Sequence, residues 1–106
     1  MKDNQALIVV DVQKDFLETG ALPVKDGSQV VPVINRISPK FKHVVFTQDW
    51  HPQGHISFAS SHPGKAPYST IDVSYGKQVL WPEHCVQNTV GAEFADGLNT
   101  ENGDCF

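Results

Sequence analysis

The stretch Asp49-Trp50-His51-Pro52-Gln53-Gly54-His55 puts one carboxylate and two imidazoles within a short reach of chain. Asp49 and His51 are two residues apart, so in extended backbone their side chains point to the same side. Gly54 permits a turn that swings His55 back toward them. One carboxylate with two imidazoles is a mixed oxygen and nitrogen donor set, suited to Zn²⁺, Fe²⁺ or Mn²⁺. His84, in Trp81-Pro82-Glu83-His84-Cys85, is a candidate fourth ligand. The plain alternative is that these are solvated loop histidines, and spacing alone leaves both readings open. Asp11, which closes an apolar run, is the other group of interest, although it could merely cap the loop that follows it.

These residues need elements to hold them. Ala6-Leu7-Ile8-Val9-Val10 is a short, continuous aliphatic run, as expected of a strand buried on both faces, and Asp11 closes it. Residues 12–26 read as a loop, punctuated by Thr19-Gly20 and Leu22-Pro23. A helix is predicted from Gly27-Ser28 to Ser38-Pro39, with Val30, Val31, Ile34 and Ile37 at helical spacing. Ser28 is its expected N-cap, and Pro32 is tolerated in the first turn. A second strand is predicted over residues 43–48, closing on Asp49. Strand, helix, strand makes a βαβ unit with a right-handed crossover. Parallel strands would place Asp11 and Asp49 at one sheet edge, where open α/β sheets bind ligands.

From Trp50 to Pro82 the chain is rich in Pro, Gly, Ser and His and reads as irregular. Residues 89–98 suggest a short helix or loop, and residues 99–106 show no element. His43 reads as structural and His62 as solvated.

Longer motifs carry a resemblance. Val9-Val10-Asp11-Val12-Gln13-Lys14-Asp15-Phe16 resembles the opening motif of the isochorismatase-like hydrolases. Thr47-Gln48-Asp49-Trp50-His51-Pro52-Gln53-Gly54-His55-Ile56-Ser57-Phe58-Ala59 and Leu80-Trp81-Pro82-Glu83-His84-Cys85-Val86-Gln87 resemble the metal-site motifs of that family's nicotinamidase branch. The resemblance runs over residues 6–98 and implies a three-layer αβα fold around a parallel sheet, present here as an incomplete N-terminal portion. Residues 1–98 are thus expected to be the N-terminal part of that domain, and 99–106 a divergent tail. The ending is expected to be a truncation.

The resemblance also implies a reaction, the hydrolysis of nicotinamide to nicotinate and ammonia in NAD salvage. An amide is a poor electrophile, so a covalent thioester route splits the task in two. In the family an aspartate, a lysine and a cysteine form the catalytic triad, and Asp11 matches the aspartate, the general base. Asp49, His51, His55 and His84 match the ligands of one divalent metal ion, which anchors the pyridine ring. Phe16 and Trp81 match aromatic walls of the substrate pocket, although both also suit an ordinary core. Nothing here matches the lysine or the nucleophile. Cys85 directly follows the fourth ligand, and Cys105 has no strand before it to build a nucleophile turn.

Bulk properties narrow the alternatives. A formal net charge of -4 argues against a general nucleic-acid binder. No apolar run approaches the roughly 18 residues of a membrane span, and the N-terminus is not a secretory signal, so a cytoplasmic protein is expected. Two cysteines are too few for a disulfide framework, and both are expected as free thiols. The expected partners are the small-molecule substrate and either a second copy of the chain or a missing C-terminal half. Two other functions compete, namely a metal-free isochorismatase-like hydrolase and a catalytically inactive metal-binding remnant.

Overall fold

The computed structural model describes residues 5–101 and residue 103. Its centre is the predicted βαβ unit. Strand β1 (Ala6–Val9) pairs in parallel with β2 (His43–Phe46), Leu7 opposite Val44 and Val9 opposite Phe46, and helix α1 (Val30–Ile37) joins them. Side chains alternate along a strand, so Leu7, Val9, Val44 and Phe46 share one face. Val31 and Ile34 of α1 bury that face, and Val12 and Ala95 close its end.

The other face differs from the sequence expectation. β1 is buried on one side only, with Ile8 61% exposed and Val10, just past its end, 65%. No described element covers that side, so the aliphatic run reports a face that these residues leave open. The helix also starts differently. Ser28 does not cap α1: its hydroxyl and backbone N–H both donate to the Glu18 carboxylate, at 2.6 and 2.9 Å. Gly27–Gln29 instead forms a single 3₁₀ turn leading into the helix. Pro32 sits in the first turn, and a second 3₁₀ turn, Ser38–Lys40, follows the helix.

Residues 50–82 are mostly irregular, but they contain an unpredicted hairpin. Strands β3 (Thr70–Val73) and β4 (Gly76–Val79) pair in an antiparallel register. Both are short and largely exposed, so their alternation of apolar and polar residues is weak. In the segment read as a short helix or loop, only Val90–Ala92 forms a 3₁₀ turn. Phe94 then bridges Gln13 in antiparallel fashion. No helix among the described residues is long and apolar enough to cross a membrane. Cys105 lies outside the described residues.

Candidate metal centre and active site

Asp11 and Asp49 follow the carboxyl ends of the two parallel strands. The backbone of Asp11 is left-handed, with φ of 54°. That region costs a non-glycine residue of order 1–2 kcal/mol. Thr47 holds it there: the Asp11 N–H donates to Thr47 Oγ1 at 3.0 Å, and the Thr47 hydroxyl donates to Asp11 Oδ1 at 2.6 Å. The reciprocal pair fixes one carboxylate oxygen. Asp11 and Phe16 line a cavity of about 340 Å³, floored by Val12, Leu17 and Val30.

Asp49, His51 and His84 form one cluster whose donor atoms all lie within 4.8 Å of one another. Asp49 Oδ1 is 3.4 Å from His51 Nε2, and Oδ2 is 3.5 Å from His84 Nε2. The two contacts use different carboxylate oxygens, and a set spanning up to 4.8 Å is wider than the ~3.3 Å edge of a tetrahedron built from metal–ligand bonds of about 2.0–2.1 Å, so a bound ion would draw it together. The outer ring nitrogens show which tautomer is present. His51 Nδ1 lies 3.2 Å from the His84 carbonyl, and His84 Nδ1 lies 2.7 Å from the Pro82 carbonyl. A carbonyl can only accept, so both Nδ1 atoms carry the proton. Each Nε2 is then left facing the Asp49 carboxylate. Both Nε2 atoms are thus aimed at one carboxylate and can give their lone pairs to a metal ion, and this backbone anchoring of the outer nitrogen is the usual support of a metal-binding histidine. The donor set therefore fits a divalent ion.

His55, the other ligand expected from the sequence, stands beside this cluster. Its ring centroid is 5.1 Å from that of His51. Its Nδ1 accepts the Ser57 backbone N–H at 3.1 Å and meets the Ser57 hydroxyl at 2.7 Å. With Nδ1 accepting, the neutral ring carries its proton on Nε2, so it offers a donor there rather than a lone pair. Aromatic rings close off the cluster. The Phe16 ring stands edge-on to His84 at 5.6 Å, and buried Phe58 meets both His51 and His84. Phe16 thus touches the cluster and lines the Asp11 cavity. Trp81 pairs by its backbone with residues 57 and 59, and its ring meets Tyr68 edge-on at 5.9 Å. His62 is tied down rather than freely solvated, its Nε2 lying 2.7 Å from the Ile56 carbonyl.

Cys85 is fully buried. Burial first, then the Asp49, Asp15 and Asp11 carboxylates, push its thiol up to about 12. A thiol so protonated is no nucleophile near neutral pH.

Two residues that the sequence reading left in a loop organise the site. Gln13 is fully buried and grips Asp49 at both backbone atoms: its Oε1 accepts the Asp49 N–H at 2.8 Å, and its Nε2 donates to the Asp49 carbonyl at 2.9 Å. Asp15 accepts the backbone N–H of Cys85, next to His84, at 2.8 Å. Neither signals itself by periodicity, although both lie inside the opening motif.

The isochorismatase domain matches residues 5–106, and the chain belongs to that family. Among its relatives, the nicotinamidase of Acinetobacter baylyi is 54% identical over 97 residues, covering 92% of this chain and 45% of that protein. A solved nicotinamidase/pyrazinamidase of Acinetobacter baumanii superposes with a TM-score of 0.93 at 51% identity, over 98% of this chain and 50% of that one. The pyrazinamidase of Pyrococcus horikoshii, solved in complex with zinc, superposes at 0.68 with 43% identity, over 94% of this chain and 49% of its own. The chain spans about half the length of the curated relatives it matches.

Proposed function

We propose that this chain supplies the metal-anchoring and general-base side of a nicotinamidase, which hydrolyses nicotinamide to nicotinate and ammonia. The observation that carries the reading is the Asp49, His51 and His84 cluster, with two Nε2 atoms turned on one carboxylate and both Nδ1 atoms held by backbone carbonyls. It separates this reading from a metal-free hydrolase, which has no use for such a set. The zinc in the Pyrococcus horikoshii relative supports a divalent ion here; iron and manganese suit the same donors. His55 would join as a fourth ligand only by giving up its Ser57 amide bond.

A bound divalent ion would act as a Lewis acid toward a pyridine nitrogen and so fix the ring. Phe16, which spans the cluster and the cavity, would provide a flat wall, with Trp81 proposed as a second. Asp11 would take the proton of an attacking thiol and return it to the departing ammonia. Thr47 occupies Oδ1, which leaves Oδ2 to carry that proton. The thiol and its lysine match no residue of these 106, and Cys85 is too deeply buried and too weakly acidic to serve. The C–S bond is therefore assigned to the remainder of the family domain, supplied by further chain or by a partner. Alone, these residues bind metal without turnover. We place the protein in the cytoplasm, as suits NAD salvage.

The test is metal content and ammonia release. The chain loaded with zinc should hold one equivalent and release no ammonia from nicotinamide. Mixed with the C-terminal half of the Acinetobacter baylyi relative, it should release ammonia, and Asp11→Asn should abolish that. A chain that holds no zinc, or a folded mixture that stays inactive, would sink the proposal.

A further inference from the structure

The metal cluster is assembled from two loop segments, 49–51 and 84, and neither lies in a helix or a strand. A direct bridge ties them to each other, the His51 N–H donating to the Cys85 carbonyl and the Gln87 N–H to the His51 carbonyl, each at 2.8 Å, and a further device must seat the pair on the βαβ unit. We propose that the 3₁₀ turn Lys14–Phe16, with Gln13 just before it, is that device: Gln13 positions Asp49, Asp15 positions His84, and together they tune metal affinity. The inference rests on the metal reading given above.

Both anchors are specific. Gln13 makes three hydrogen bonds through one buried amide, to the N–H and carbonyl of Asp49 and to the Ala92 carbonyl at 2.7 Å. Only an amide offers an acceptor and two donors in that fork; a carboxylate would turn an oxygen on two carbonyls. Asp15 is held as firmly. Its Oδ2 takes the Cys85 N–H, at a residue whose left-handed φ of 48° needs a fixed partner. A Cβ built at Gly91 would collide with the Asp15 carboxylate, and one at Gly20 would collide with the Asp15 and Lys14 carbonyls. Asp15 thus occupies a slot whose two walls are glycine. Gln13 and Asp15 touch backbone rather than the ion, so they are positioning residues. Partners that hydrogen-bond a ligand's side chain are worth about 10- to 100-fold in metal affinity, and anchors on the ligand segments' backbone are expected to fall within that range.

Zinc affinity, measured by competition with a chromophoric chelator, tests this alongside the visible spectrum of the cobalt-substituted chain. Gln13→Leu and Asp15→Ala should each weaken zinc binding by about 10- to 100-fold and alter the cobalt bands. Asp15→Asn, which keeps an acceptor oxygen, should recover most of the loss. Val31→Ala, which hollows the core away from the ligands, should lower the melting temperature but leave zinc affinity unchanged. Wild-type affinity in Gln13→Leu and Asp15→Ala, or an equal loss in Val31→Ala, would overturn the positioning role. If Gln13→Leu fails to fold, the Asp15→Ala and Asp15→Asn pair decides, and equal affinities would overturn it. Asp49→Ala separates the two claims, because unchanged zinc binding there would defeat the metal reading itself.

Discussion

The βαβ unit and the segment from Trp50 to Gln87 are held together by different forces. In the first, Val9, Val31, Ile34, Val44 and Phe46 exclude water, and the hydrogen bonds are those of helix and ladder. In the second there is little apolar core beyond Phe58, Ala59, Leu80 and Cys85. Apart from the exposed β3–β4 hairpin, its order comes from single bridges and from polar side chains reaching across long sequence separations. Apolar burial is non-directional and tolerates small shifts, whereas a metal cluster needs positions fixed to a fraction of an ångström. Directional amide and carboxylate bonds meet that demand. The βαβ unit thus provides stability, and polar clamps growing out of its loops provide precision.

If that division holds, substitutions in the two regions should fail in different ways. The largest effect is expected at Phe46, which is fully buried against Val9 and the helix. Phe46→Ala should cost about 3–5 kcal/mol of stability, read by denaturant melts. Ile8→Ala, on the exposed face of the same sheet, should stay within roughly 0.5 kcal/mol. A large loss at Ile8 would mean that something covers that face in solution.

Asp49→Ala should do the opposite. Removing a ligand should lower zinc affinity by more than about a hundredfold, beyond the range of supporting partners. The metal-free melt should barely move, because the carboxylate belongs to no apolar cluster. A melt that collapses with the ligand would erase the distinction between scaffold and site.

Cys85 sharpens the comparison from inside the loop region. With Cys105 replaced by serine, the remaining thiol should react with a disulfide reagent at pH 8 about a hundredfold or more slowly than in unfolded chain. A thiol at about 12 is almost wholly protonated there. The sign follows: reactivity should climb as pH rises toward that value. Fast labelling of folded chain at pH 8 would show that the loop region opens far more readily than its buried bridges suggest.

The same contrast explains what could be read from the sequence. β1, α1 and β2 were legible because their aliphatic spacing encodes the face that they bury, and Asp11 and Asp49 were legible as the residues that end the strands. Asp49, His51 and His84 stood out by donor type and by motif. The single-sided burial of β1 was not legible, since an aliphatic run cannot say what covers it. The hairpin was missed because Thr70 to Val79 is half polar and exposed. Gln13 and Asp15 fell in a loop because their partners lie 36 and 70 residues away, and local patterns carry no such information. The exchange of His55 with Ser57 depends on a ring tautomer, which spacing cannot encode.

The smallest expected effect lies at the start of α1, where a local rule misled. Ser is the favoured N-cap, yet Ser28 gives both its hydroxyl and its N–H to Glu18, ten residues back. The Ser28 hydroxyl first, then Glu18's own backbone and the Ser28 N–H, lower the Glu18 carboxyl from its ordinary value. A depressed carboxyl stabilises the fold above its unfolded value and loses that contribution as pH falls through the folded one. Ser28→Ala should therefore return the Glu18 titration, followed by NMR, toward the ordinary value. It should also flatten the acid limb of the stability profile, because the small contribution it removes at pH 7 is already absent at low pH. The site is exposed, so the effect should be small and sensitive to salt. If Ser28→Ala instead destabilised the helix at neutral pH by the ~1 kcal/mol of a lost cap, Ser28 would be capping α1 in solution. The loop would then owe its position to the helix rather than to a polar clamp of its own.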